Sequence, residues 1–188
     1  FIPSIRKVRR FAEPARDDAW GGSDFTFGDV TLRKPKHDNH ELLGKTKFAG
    51  CLGVMKDVKR NKYTQKANIV ADCSTDGKEV YKLKSTANTA NWWYDHRISL
   101  IDAKTFADYR TEYFKGGKHI KTIDRSWASA NLDDPRASYW GYWYGKTNTT
   151  GHETMAFIPS TITKVNHKYK KKNLWSTTTL KKMPKKIK

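Results

Sequence analysis

Six histidines, two cysteines and nineteen carboxylates are the groups with which this chain could do chemistry. Of the histidines, at 37, 40, 96, 119, 152 and 167, none falls in a metal-binding spacing such as H-E-x-x-H. His37 and His40 lie three apart in a polar stretch, enough only for a chance metal contact. The chain has no G-x-S-x-G elbow, phosphate-cradling glycine loop or Cys/His nucleophile pattern. Asp95 and Asp102 stand seven apart on one predicted strand, so they face opposite ways and lie more than about 20 Å apart. That is too far for a glycosidase pair, and turn capping or ion pairing is the better account. The expectation is a protein without catalytic residues, cofactor or metal.

Two cysteines, Cys51 and Cys73, are too few for a disulfide framework or a zinc site. They read either as one disulfide of an oxidising compartment or as two buried thiols. Arg6, Arg9 and Arg10 form a cluster that also reads two ways. One is ion pairing with Glu13, Asp17, Asp18 or Asp24, and the other is contact with phosphate or lipid headgroups at a cavity mouth. The aromatic runs are the most informative local feature. In Ser138–Tyr144, alternation sends Tyr139, Gly141 and Trp143 to one face and Trp140, Tyr142 and Tyr144 to the other. Trp92, Tyr94, Ile98 and Leu100 likewise share a predicted face. Such surfaces either fill ordinary cores or line a lipid-sized cavity.

The elements that position these residues are strands. Residues 1–8 read as a strand end, and 9–38 as a long excursion in which Ser23 caps a short helix. Strands are then predicted over 41–48, 51–58, 67–73, 79–85, 92–102, 108–114, 119–127, 138–144 and 153–165. Asp76-Gly77 and Gly116-Gly117 supply hairpin signals between them. The result is a sequential antiparallel meander that must curl or close to shield its edges.

Composition agrees with sheet: 13% of residues are aromatic. No stretch approaches the roughly 20 apolar residues of a membrane-spanning helix. The opening Phe1-Ile2-Pro3 reads as a mature or truncated start. The net charge of +18 reads either as solubility and the surface drift of a lysine-rich organism, or as a match for nucleic acid or an anionic membrane or glycolipid surface. It is spread along the chain, densest at 168–172 and 181–188, and a spread charge argues less for nucleic acid than a compact basic arm.

Several phrases resemble the outer-membrane lipoprotein-sorting proteins of the LolA/LolB-like superfamily. They are Pro3-Ser4-Ile5-Arg6-Lys7-Val8-Arg9-Arg10, Gly22-Ser23-Asp24-Phe25 through Asp29, Trp93-Tyr94-Asp95-His96-Arg97, Ile101-Asp102 with Thr105-Phe106, Glu112-Tyr113-Phe114 with Gly117-Lys118, Gly151-His152, and Leu174 to Leu180. Their order runs from residue 1 to about 181, with an unusual insertion at 52–77. The resemblance implies a mainly β fold, a curved antiparallel sheet or incomplete β-barrel with short helical plugs. It places one half-barrel domain over 1–181, lacking its N-terminal part, and a basic tail at 182–188. It further implies a periplasmic or outer-membrane-associated carrier of a lipid, acyl chain or lipoprotein anchor, with an inner-membrane transporter or outer-membrane partner. The residues expected at the ligand are Trp92, Tyr94, Ile98, Tyr139, Trp140, Tyr142 and Trp143, with Arg6, Arg9, Arg10 and Asp24 for headgroup or salt bridge. The rival readings are a structural subunit of a cell-envelope assembly and, third, a nucleic-acid-binding β domain.

Overall fold

The computed structural model describes residues 15–31, 33–58, 70–90, 92–160, 163 and 176–182. The cluster Arg6, Arg9, Arg10 and the predicted strand at 1–8 lie outside the described residues. Two compact units divide the chain, Ala15–Ile162 and Phe1–Pro14 with Thr163–Lys188. The first carries the whole sheet. Of the second, residue 163 and a short helix at Thr177–Lys182 with the serine before it are described.

Seven strands follow one another as a meander: β1 (Asp38–Lys47), β2 (Glu79–Ala87), β3 (His96–Asp102), β4 (Asp108–Lys115), β5 (Lys118–Ser129), β6 (Ser138–Thr147) and β7 (Glu153–Phe157). All neighbours are antiparallel, and β1 and β7 remain the two edges of a curved, open sheet. Turn chemistry accounts for the sharpest reversal. β4 and β5 are joined by Gly116 and Gly117, both at positive φ, a conformation that a Cβ would strain.

The register defines two faces. On one, Ser85, Arg97, Tyr113, Lys121 and Thr147 form a row across β2–β6, next to Leu83, Ser99, Thr111, Ile123 and Gly145. Over this face sit residues 15–31, whose only α-helix, α1 (Phe27–Val30), plugs against the sheet. Its core is Phe25, Tyr94, Tyr113 and Ile123. On the other face Leu100, Arg110, Asp124, Tyr144 and Met155 form a row. There Phe48, Leu52, Val80, Ala107, Tyr109, Tyr142 and Tyr144 make a second core.

Several expectations need correction. Residues 51–58 do not form a strand: β1 pairs with β2, and residues 48–58 instead lie as a cover, with Leu52 buried and Gly53 donating to Asp124. Residues 70–73 are likewise irregular, and Cys51 and Cys73 are joined by a disulfide that ties the two parts of the cover. The α1 cap is Thr26 rather than Ser23, because Thr26 and Asp29 close a reciprocal capping box. Trp92 and Tyr94 precede β3, so strand alternation does not govern them. Tyr94 packs on Tyr113, while Ile98 pairs with Lys84 and Glu112 on the opposite face. Finally, a β-bulge puts Trp140 opposite Trp127 and Tyr142 opposite Ser126, leaving Gly141 unpaired. That extra residue breaks the alternation, and Trp140 lies beside Trp143, 5.5 Å between ring centroids.

Candidate functional site

The aspartates of the family-like phrases turn out to be latches. Asp24 accepts hydrogen bonds from Thr147 and Thr154 hydroxyls, both at 2.6 Å, and meets His152 Nδ1 at 2.7 Å. It thereby ties residues 15–31 to the β6–β7 hairpin. Burial alone would raise its carboxyl, but these hydrogen bonds outweigh it and hold the group below the usual carboxylate range. Asp95 accepts from the Gly116 amide at 2.6 Å and so fastens the β4–β5 turn. Asp102 accepts from the Lys104 and Thr105 amides, the Thr105 hydroxyl and Tyr109. The Lys121 ammonium pairs with Asp29 and lies 4.9 Å from the Tyr113 ring centroid. Both members of that pair are buried, and Gly28 lets the Trp93 ring lie directly on α1.

Tyr142, Tyr144 and Tyr109 sit in the second core as structural groups. Burial first, tempered by the Asp72 amide that donates to it, pushes Tyr142 up to about 12. Burial and carboxylate partners raise Tyr144 and Tyr109 further. An unfolded phenol ionises near pH 10, so these shifts stabilise the fold below about pH 10, and that contribution is lost as pH rises toward 12. Stability measured by chemical denaturation should therefore decline above about pH 10. The phenolate absorbance of the buried tyrosines should appear only with loss of the near-ultraviolet circular dichroism. Full phenolate absorbance near pH 10 with the fold intact would contradict this placement.

The sequence-expected ligand residues divide. Trp92 and Tyr94 line a cavity of about 430 Å³ with Ala87, Thr89, Asp95 and Lys115, a volume in the range of small-molecule sites. Ile98, Tyr142 and Trp140 do not line it, nor do Tyr139 and Trp143. Trp143 instead packs edge-on to Phe25 at 5.7 Å and under the Arg125 guanidinium at 4.4 Å.

Behind the cavity lies a cluster that sequence reasoning missed. Arg33 grips Asp38 through Nη2 at 2.7 Å and Nε at 3.2 Å, and Arg97 reaches the same carboxylate at 3.3 Å. The Arg33 guanidinium stands 5.0 Å from the Trp92 ring centroid. Trp92 contacts Trp93 at 4.2 Å and Tyr94 edge-on at 6.3 Å. Lys115 fixes the start of this aromatic run by donating to the Trp92 carbonyl at 2.9 Å. Five side-chain atoms of this cluster, Arg33 Nη1, Arg97 Nε, Tyr94 Oη, Trp92 Nε1 and Trp93 Nε1, are buried without a hydrogen-bond partner, as are Asp29 Oδ1 and Trp143 Nε1 elsewhere among the described residues. The Trp92 ring N–H leans toward the Tyr94 oxygen without completing a hydrogen bond, and burial raises the Tyr94 phenol despite it. Arg97 stands within one of the family-like phrases, whereas Arg33 carries no local signal.

An open antiparallel meander, plugged on one face by a short helix and never closing on itself, is the architecture of a LolA-like incomplete β-barrel. Comparison with solved structures bears this out at the level of fold. The chain is similar to a domain assigned to outer membrane lipoprotein sorting from Vibrio parahaemolyticus, at 16% identity and a TM-score of 0.59, covering 96% of this chain and 64% of that one. It is similar to a DUF1329 family protein from Desulfovibrio piger ATCC 29098, at 12% identity and 0.54, covering 82% and 55%. It is also similar to the LolA superfamily protein NE2245 from Nitrosomonas europaea, at 15% identity and 0.51, covering 87% and 64%. The chain thus spans between about half and just under two thirds of these proteins. A family described as "Uncharacterized protein" matches residues 1–54, and no curated protein matches.

Proposed function

We propose that this chain binds a lipid or lipoprotein anchor and acts, without catalysis, in lipid or lipoprotein transport at the periplasmic face of the outer membrane or in the periplasm. The observation that carries this reading is the cavity walled by Trp92 and Tyr94 at the β2–β3 connection of a LolA-like sheet. The Trp92 and Tyr94 rings give this half-open cavity an apolar wall beside Thr89, Asp95 and Lys115, suited to an apolar chain that carries a polar head, each buried methylene contributing roughly 0.8 kcal/mol. The charge of +18 favours approach to an anionic membrane surface. The disulfide suits an oxidising compartment such as the periplasm.

Native mass spectrometry of the purified chain, followed by organic extraction, tests the reading. A stoichiometric acyl ligand is expected. A clean apo mass together with no uptake of a fluorescent acyl probe would overturn it. A second reading, a structural subunit of an envelope assembly, is favoured by the polar filling of the plugged face, where Ser85, Ser99, Thr111, Lys121 and Arg125 are all buried. That filling leaves less apolar depth than a fully lipid-lined barrel. Co-purification in a stable complex, with no bound lipid, is its signature.

A further inference from the structure

We infer that Arg33, Arg97, Tyr94 and Trp92 form a receptor for one monoanionic phosphate or carboxylate group, with the chain attached to that group lying in the neighbouring cavity. The apolar half of this inference rests on the lipid-binding reading; the anion half stands on its own.

A buried N–H or O–H left without an acceptor is costly, and native structures keep such groups few. Here five of them, from Arg33, Arg97, Tyr94, Trp92 and Trp93, belong to side chains joined by ring contacts or by the shared Asp38 carboxylate. The four nitrogens can only donate and the Tyr94 hydroxyl can donate as well as accept, so what completes the cluster is an acceptor. Tyr94 is 1% exposed, yet it lines the cavity, as does Trp92. The charge count agrees. Two guanidiniums share the single buried carboxylate of Asp38, which leaves one positive charge, and Lys115 and Asp95 on the cavity wall cancel. A monoanion balances the cluster. Arginine also suits this role by geometry, since Asp38 occupies only part of each guanidinium fork. Arg33 and Arg97 do not themselves line the cavity, and the Trp92 ring, which lines it and lies 5.0 Å from the Arg33 guanidinium, provides an apolar wall where the head meets the chain.

The test is calorimetric titration of the full chain with octyl phosphate, octanol and inorganic phosphate at about 0.15 M salt, where loose surface attraction is screened. Wild type should bind octyl phosphate and should prefer it to octanol. Tyr94→Phe and Trp92→Phe each remove one donor without changing charge. Because the Tyr94 hydroxyl has no hydrogen-bond partner, Tyr94→Phe should keep its thermal stability, whereas Trp92→Phe also gives up ring packing on Trp93 and Arg33 and should be somewhat less stable. Each should lose about three- to tenfold in affinity for octyl phosphate, and Arg97→Gln about tenfold or more. Nonspecific attraction to a chain of +18 would leave the two charge-neutral variants unaffected, and that result overturns the receptor. Equal binding of octanol and octyl phosphate also overturns it, while the lipid-binding reading survives. Donor-dependent binding of inorganic phosphate, with no gain from the octyl chain, keeps the receptor as a site for a free anion and removes the lipid. Absence of binding by all three probes removes both.

Discussion

Phe25→Ala is expected to destabilise the Ala15–Ile162 unit by about 3–5 kcal/mol, the range for truncating a buried phenylalanine. Phe25 is fully buried, edge-on to Trp143, with its ring over Gly145. A Cβ at Gly145 would stand 2.9 Å from that ring, so sheet and plug meet there without spare volume. The loss should exceed simple transfer of a phenyl group, because a rigid sheet cannot collapse into the cavity left behind. Hydrogen exchange should report where the damage goes. Residues 15–31 should lose protection first, since Phe25 is their main apolar anchor, whereas β3–β5 should remain protected. Gly145→Ala alone should cost about 1–3 kcal/mol by overpacking. In the double variant the methyl enters the space that the ring vacated, so the combined cost should fall below the sum of the two. A loss under about 1 kcal/mol for Phe25→Ala, or strict additivity with Gly145→Ala, would show that the plug does not bear on the sheet through this contact.

That coupling shows why the fold is more legible in the sequence than the site. Hairpins are readable because their determinants are local: Gly116 and Gly117 need positive φ whatever the rest of the chain does. The meander follows from successive turns. What escapes a sequence reading is anything set at a distance. Residues 51–58 read as a strand, but they lie as a cover over the second core, with Leu52 buried in it, rather than in the sheet. Simple alternation misassigns the faces of β6 at Gly141, where one unpaired residue inverts everything before it. Asp24 reads as an ion-pair candidate for nearby arginines, yet two of its hydrogen bonds come from Thr154 and Thr147, 130 and 123 residues away. The cluster at Asp38 has the same cause: Arg97 lies 59 residues from its carboxylate partner, and nothing near Arg33 in sequence marks it as special. Trp92 and Tyr94 stand out because their size alone signals burial, though not the face on which they lie.

The same dependence on distant contacts concentrates stability at Asp124, and Asp124→Ala is expected to cost about 3–5 kcal/mol, the range for breaking a buried ion pair from one side. The Asp124 side chain is 1% exposed and accepts two hydrogen bonds from Arg110, each 2.7 Å, in a forked arrangement. It also accepts the Gly53 amide at 2.6 Å, so one carboxylate holds β4, β5 and the cover together. Alanine strands the Arg110 charge against the Phe48 ring, 5.2 Å from its centroid, and leaves the Gly53 amide without its acceptor. Arg110 is a quarter exposed and can recover some hydration, which places the expected loss toward the lower end. Asp124→Asn keeps an acceptor for Gly53 while giving up the charge, and should cost clearly less. The double replacement Arg110→Met with Asp124→Leu removes both charges and keeps apolar volume. It should therefore be more stable than Asp124→Ala alone, because desolvating the pair offsets much of what the pair contributes. Denaturant midpoints for wild type and the three variants decide the matter. Were the double replacement to lose as much as the single alanine, the Gly53 contact rather than the unpaired guanidinium would account for most of the loss, and the cover would owe its position to that one amide.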